Sequence, residues 1–166
     1  MKARLIIILL SLISAVSCVF DDPEKNVDLQ VGDNVPNFTV LLSDGTAVSS
    51  SEMNDGVALI MFFHTGCKDC QNTLPEVQKI YDEYKDQISV LLISREQAYD
   101  EVQAYWQEKG YTLPYSPQQD RVIYNLFATS RVPRVYVCKD GKITSCYKDD
   151  PILSYDDLKA DIQAQL

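Results

Sequence analysis

Two short stretches limit this chain's fold more than any other feature: VALIMFF at residues 57–63 and ISVLLIS at residues 88–94. Both have strand length and are predominantly apolar, the pattern of strands covered on both faces. Between them lies CKDCQNTLPEVQKIYDEYK, where Leu74, Val77, Ile80, Tyr81 and Tyr84 recur at helical spacing. Strand, helix and strand in this order make a crossover unit, whose sheet needs helices on both sides. Pro75 sits inside the helical pattern and is expected to kink it.

The other segments fit around that unit. Residues 31–53 carry an Asp44-Gly45 turn between alternating apolar flanks, which reads as a hairpin. A helix is expected over Tyr99–Lys109, with Val102, Tyr105 and Trp106 on one face and Gly110 as its stop. A proline-containing loop at 113–117 leads to a short helix in DRVIYNLFA (residues 120–128). Residues 135–138 and 142–147 flank Asp140-Gly141 as a second hairpin, and Ser154 with Asp157 starts a terminal amphipathic helix. The order predicts an α/β sandwich with a mixed central sheet.

Residues 1–17 stand apart from that fold. Lys2 and Arg4 precede an apolar stretch at 5–16, which has the layout of a secretory signal and is too short to span a bilayer. It ends in Ala15-Val16-Ser17-Cys18, a bacterial lipobox pattern that makes Cys18 the expected lipidation site and mature N-terminus. An ordinary secretory cleavage nearby is the plainer reading, and both export the chain. Residues 18–30 are polar and acidic and read as a tether, leaving 31–166 as a single domain. Loss of residues 1–17 leaves 13 basic against 24 acidic residues, a net charge of −11. That balance argues against nucleic acid as a partner and against binding to anionic lipid by charge. Attachment to a membrane would come through acyl chains on Cys18.

Cys67 and Cys70 remain the sharpest chemical signal. They lie where a buried strand gives way to a helix, and a helix start favours a thiolate at Cys67. Two intervening residues bring the second sulfur beneath the first within one helical turn. Cys67 is then placed to attack a disulfide and Cys70 to resolve the mixed disulfide that forms. A metal site competes, but structural zinc takes four ligands and the chain has one histidine, His64, and no second CxxC. Two buried structural cysteines are the third reading. Cys138 and Cys146 are expected to be unbridged: a two-residue Asp140-Gly141 turn sets Cys138 opposite Ile143 and sends Cys146 to the other face.

Over residues 31–166 the chain resembles the thioredoxin superfamily, specifically its exported, membrane-anchored thiol–disulfide oxidoreductases of the TlpA/ResA type. VGDNVPNFTV with Asp44-Gly45, CKDC after a buried strand, Pro75, LPYSPQQD and SRVPRVYVCKDGKI carry the resemblance. It implies a thioredoxin-like three-layer α/β/α sandwich with an N-terminal hairpin extension. It further implies a redox-active Cys67–Cys70 disulfide with no other cofactor, protein thiol and disulfide substrates, and a membrane electron donor that recharges a reductase. Pro133 is implied to be cis and packed against the CxxC, with the Val132 backbone pairing with the substrate. The chain is expected to act as a monomer, lipid-anchored at the cell envelope.

Several positions depart from that pattern. Gly66 stands where relatives carry an aromatic residue, and His64 where another tryptophan often sits. The buried acid of thioredoxins falls at Met61 and the ResA-type glutamate at Thr73, so no carboxylate is assigned to serve Cys70. His64 is a candidate for that role or for a bond to the thiolate, against the plainer reading of a structural histidine. Lys68 supports a thiolate at Cys67 and Asp69 opposes it, so redox direction is not legible from the dipeptide. VGDNVPNF also resembles peroxiredoxins, but the threonine and proline those enzymes need are replaced by His64 and Ile60. A non-catalytic metal- or copper-binding module of the same fold is the remaining alternative.

Overall fold

A computed structural model of the chain describes residues 28–148 and 151–166. The signal segment, Cys18 and most of the tether lie outside the described residues. The strands are β1 (Thr39–Leu41), β2 (Ala47–Ser49), β3 (Val57–Phe63), β4 (Ser89–Ser94), β5 (Tyr115–Ser116), β6 (Arg134–Lys139) and β7 (Lys142–Tyr147). The helices are α1 (Lys68–Tyr84), α2 (Tyr99–Lys109), α3 (Val122–Asn125) and α4 (Tyr155–Gln163).

Five strands form the main sheet in the order β5-β4-β3-β6-β7. β4 runs parallel to β3 and to β5, whereas β6 is antiparallel to β3 and to β7. β3 is central, and all seven of its residues are buried, as its unbroken apolar run requires. Alternation along β3 sends neighbouring side chains to opposite layers. Phe62 meets Tyr124 of α3 and Phe127 at ring-centroid distances of 5.5 and 4.8 Å, while Phe63 meets Trp106 of α2 at 4.9 Å. α4 packs beside α1, and the N–H of Thr112, after α2, donates to Gln78 of α1. One layer therefore holds α1, α2 and α4, and the other α3 with the N-terminal segment. This is the mixed-sheet α/β/α sandwich expected from the strand and helix order.

α1 continues through Pro75 as one helix, and α2 ends at Gly110 with φ +67°, the left-handed geometry that glycine tolerates best. Ser154 caps α4 by accepting from the N–H of Asp157. β1 and β2 form a separate hairpin around Asp44-Gly45, continued by a 3-10 turn at Ser50–Met53. Residues 28–30, read as the end of the tether, are packed. Leu29 is buried and its N–H donates to the Phe127 carbonyl, and Asp28 pairs with the buried Arg134 at 2.6 Å.

The second hairpin corrects one expectation. Cys138 does lie opposite Ile143, but an irregularity between Val137 and Cys138 adds a residue to β7, so Cys146 lies opposite Tyr136. The bulge returns Cys146 to the face that Cys138 and Tyr136 share. Both cysteines are thiols here: Cys138 is fully buried, and Cys146 is half-buried beside the Leu29 carbonyl. No helix among the described residues is long and apolar enough to cross a membrane.

Candidate active site

β3 delivers the chain to the middle of the sheet edge, and His64, Thr65 and Gly66 turn it into α1. Cys67 is the N-cap of α1, its N–H donating to the His64 carbonyl at 3.0 Å and its carbonyl accepting from Gln71 at 3.0 Å. Its side chain therefore sits at the positive end of the helix dipole, half-exposed. Cys70 lies within the first turn and is fully buried. Burial pushes the Cys70 thiol far up from its ordinary range. A hydrogen bond from the His64 backbone opposes this, and negative charge at Cys67 and Asp69 adds to it. The site thus pairs a solvent-facing sulfur with one held as a thiol at neutral pH.

The loop before β6 closes the other side. The Val132–Pro133 bond is cis, as the resemblance implies, and both residues are buried. The Cys67 thiol donates to the Val132 carbonyl at 3.4 Å, so this loop and the CxxC touch. Val132 and Pro133 precede Arg134, whose strand pairs with β3 directly below the cysteines.

His64 is half-buried, and its Nδ1 accepts from the Gly66 N–H at 3.0 Å, which leaves Nε2 to carry the proton of the neutral ring. The same ring explains the missing aromatic residue. A Cβ on Gly66 would stand 3.3 Å from His64 Cε1 and Nδ1, so the space a larger side chain would enter is taken by the imidazole. Lys68 is exposed and Asp69 half-buried. Met61 and Thr73 are buried, and the Thr73 hydroxyl donates back to the Asp69 carbonyl at 2.9 Å. Neither the acid of thioredoxins nor that of ResA has a counterpart at these positions.

Four further residues shape the site without having been singled out in the sequence. Gln97, buried in the link between β4 and α2, brackets Thr65: the Thr65 N–H donates to Oε1 at 2.8 Å and Nε2 donates to the Thr65 hydroxyl at 2.7 Å. Gln71 also donates to the Thr65 carbonyl at 2.8 Å, so the loop before Cys67 is held from two elements. Arg95 and Arg131 join His64, Gly66, Cys67 and Val132 in lining an open groove above the sulfur. Nothing in local pattern marks Arg95, Gln97 and Arg131, because the ends of β4 and β6 meet only through β3, which pairs with both. No group of three metal-binding side chains occurs among the described residues.

The comparisons with known proteins agree with this fold. A family model described as the AhpC/TSA family matches residues 31–145. The thiol-disulfide oxidoreductase ResA of Bacillus thuringiensis (strain Al Hakam) is 25% identical over 145 residues, covering 83% of this chain and 82% of that protein. A thioredoxin-like protein of Bacillus subtilis (strain 168), YneN, is 28% identical over 94 residues, 55% of each chain. Among solved structures, the thioredoxin domain of a thiol-disulfide oxidoreductase from Bacteroides vulgatus superposes with a TM-score of 0.71 at 21% identity, covering 82% of this chain and 98% of that one. A thiol:disulfide interchange protein from Chlorobium tepidum TLS gives 0.71 at 16% identity, over 84% and 99%. The solved structures share the thioredoxin-like fold.

Proposed function

The chain belongs to the AhpC/TSA family and is a thiol–disulfide oxidoreductase, and from that premise we propose that it reduces disulfides of exported proteins with Cys67 as nucleophile and Cys70 as resolving thiol. The observation that carries this reading is the pairing of a half-exposed Cys67 at the start of α1 with a fully buried Cys70 one turn on, the Cys67 sulfur lying 3.4 Å from the Val132 carbonyl.

The chemistry follows from that asymmetry. The Cys67 thiolate attacks one sulfur of the substrate disulfide; a Cys67–substrate disulfide forms, and the other substrate sulfur leaves as a thiolate and takes up a proton. The Val132 backbone, held by the buried Pro133, lies where an extended substrate segment pairs beside the cysteine. Once Cys67 is in the mixed disulfide, its negative charge no longer opposes ionisation of Cys70. Cys70 then attacks the Cys67 sulfur, its proton passing through solvent to the departing substrate sulfur. The second substrate thiolate departs, leaving an internal Cys67–Cys70 disulfide. Two electrons pass from the dithiol to the substrate, and the cysteine pair is the only redox group required. A membrane electron donor restores the dithiol. His64 orders the turn through Gly66, and Lys68 and Asp69 act as a solvated helix start.

The reading extends to location. The signal layout and lipobox support a mature chain held at the cell envelope by lipid on Cys18, and the reading takes it to act there as a monomer. A peroxidase is disfavoured by Ile60, buried in β3, and by His64, whose Nδ1 is occupied by Gly66, at the positions of the proline and threonine such enzymes use.

The direction is tested by the reduction potential of the Cys67–Cys70 couple, equilibrated against glutathione or dithiothreitol buffers. A value well below about −200 mV agrees with a reductase, whereas one near −120 mV, the range of a strong oxidant, contradicts it.

A further inference from the structure

A second cleft, of about 420 Å³, lies at the β5 edge of the sheet and shares no residue with the groove beside Cys67. The turn of the first hairpin forms one wall, and α2 with the residues that follow it forms the other. Four of the lining residues are aromatic, Tyr99, Trp106, Tyr111 and Tyr115, and the one formal charge among them is the carboxylate of Asp44.

The walls are fixed by contacts of their own. The Ser43 N–H donates to the Tyr115 carbonyl at 2.9 Å and the Ser116 hydroxyl to the Leu41 carbonyl at 2.7 Å, so the hairpin is tied to β5. The rings are inclined to one another rather than stacked flat: Trp106 meets Tyr111 at 5.5 Å and 71°, and Tyr115 at 4.6 Å and 43°. Two of the rings have their polar atoms engaged. Trp106 Nε1 donates to the Leu113 carbonyl at 3.0 Å, and the Tyr99 hydroxyl donates to the Ser43 carbonyl at 3.4 Å while accepting from Gln103 at 2.7 Å. Trp106 and Tyr99 therefore present a ligand with ring surface rather than with hydrogen bonds.

Ring surface of this kind attracts cations, which gain when they lie within about 6 Å of a centroid. Among the described residues the chain's own cations lie over Tyr84, Tyr105, Tyr124 and Tyr155, and over none of the four rings of the cleft. Asp44 stands exposed at the rim. The Thr46 N–H, donating to Oδ1 at 2.8 Å, holds its carboxyl below the ordinary value and therefore ionised at neutral pH. A primary ammonium is strongly hydrated and brings three donors, for which this cleft has few acceptors. A quaternary ammonium has no N–H to satisfy, and gains from ring surface and one nearby negative charge. The balance of 24 acidic against 15 basic residues adds a favourable long-range field.

We propose that this cleft binds a small quaternary ammonium ion of the trimethylammonium class, with Tyr99, Trp106, Tyr111 and Tyr115 as its cage and Asp44 as its counter-charge. Binding makes and breaks no covalent bond, and it does not depend on the direction in which the Cys67–Cys70 pair works.

Trp106 is the chain's one tryptophan, so its fluorescence reports on the cleft directly. The reduced protein is titrated at constant ionic strength with choline and with the neutral alcohol in which carbon replaces choline's nitrogen. Saturation-transfer NMR of the ligand methyl groups gives a second readout. Choline should bind about tenfold more tightly than the alcohol, the size of a partly desolvated cation–ring contact. Asp44→Asn, at an exposed position, should weaken choline about threefold and leave the alcohol unchanged. Tyr111→Leu should bring the two affinities closer together. Equal affinities in the wild-type protein would overturn the proposal, as the mark of a merely apolar cleft, and so would the absence of choline binding in both readouts. Glucose bound as tightly as choline would also overturn it, by marking a site for polyols. None of these results bears on the reductase reading.

Discussion

The bracket between Gln97 and Thr65 gives a quantitative prediction about how the active-site loop is held. Gln97→Leu keeps roughly the same volume at a buried position but removes both amide contacts, at 2.8 and 2.7 Å. Each intramolecular hydrogen bond contributes about 1 kcal/mol net, so the loss begins at about 2 kcal/mol. Thr65 is half-buried, and its N–H and hydroxyl are only partly able to recover water, which raises the expected cost to about 2–3 kcal/mol. Thr65→Val removes the hydroxyl alone and should cost about 1 kcal/mol. Because both substitutions delete the same side-chain contact, the double variant should be more stable than the sum of the two losses predicts, by about 1 kcal/mol. Urea unfolding of the reduced protein, monitored by the fluorescence of Trp106, supplies the three differences. A double variant whose loss equals the sum to within about 0.4 kcal/mol would refute the bracket as a coupled unit. A cost below about 0.5 kcal/mol for Gln97→Leu would refute its role in stability.

Three further outcomes follow. In the reduced native protein, iodoacetamide at pH 8 should modify Cys67 first. Cys70, whose thiol burial pushes far up, and Cys138, pushed by burial to about 12, should react only on unfolding, and peptide mapping that finds Cys70 modified as fast as Cys67 contradicts the asymmetry. Burial raises the Asp28 carboxyl, but the Thr129 N–H and hydroxyl together with Arg134 more than offset it and hold the group below its ordinary value. Its contribution is therefore complete above about pH 4 and lost as pH falls through the folded value, so Asp28→Asn should cost about 2 kcal/mol at pH 7 and less at pH 2; a cost independent of pH would exclude the ion pair as its cause. In Gly66→Ala the new Cβ meets the His64 ring at 3.3 Å, so the ring should swing away and release the Gly66 N–H. Unchanged imidazole resonances in the NMR spectrum of that variant would show that the ring was never packed there.

How legible the molecule was depended on the range of the forces involved. β3, α1, α2 and α4 announce themselves because burial on one or both faces writes its pattern into seven or more consecutive residues, as with Leu74, Val77 and Ile80. β5 has no pattern of its own, because Tyr115-Ser116 is two residues long between Pro114 and Pro117, too short for any alternation. The 3-10 turn at Ser50–Met53 did carry a signal, the Ser49–Glu52 capping box, within a stretch read only as hairpin. The bulge in β7 has no local mark, and it reversed the face assigned to Cys146. The site divides along the same line. Cys67, Cys70 and the Val132-Pro133 step are adjacent to strong local patterns. Arg95, Gln97 and Arg131 acquire their positions only from the sheet that joins residues 65 to 132.

The most direct test of the central claim is a trapping experiment with paired variants. Reduced Cys70→Ser and Cys67→Ser proteins are each mixed with a glutamine-flanked peptide disulfide, and the products are read by intact mass and peptide mapping. Cys70→Ser should release one peptide thiol and retain the other peptide as a stable adduct on Cys67, while Cys67→Ser should form no adduct on the buried Cys70 at a comparable rate. An adduct on Cys70 in the Cys67→Ser protein, formed as fast as the first, or no adduct in either, would contradict the assignment of nucleophile and resolving thiol.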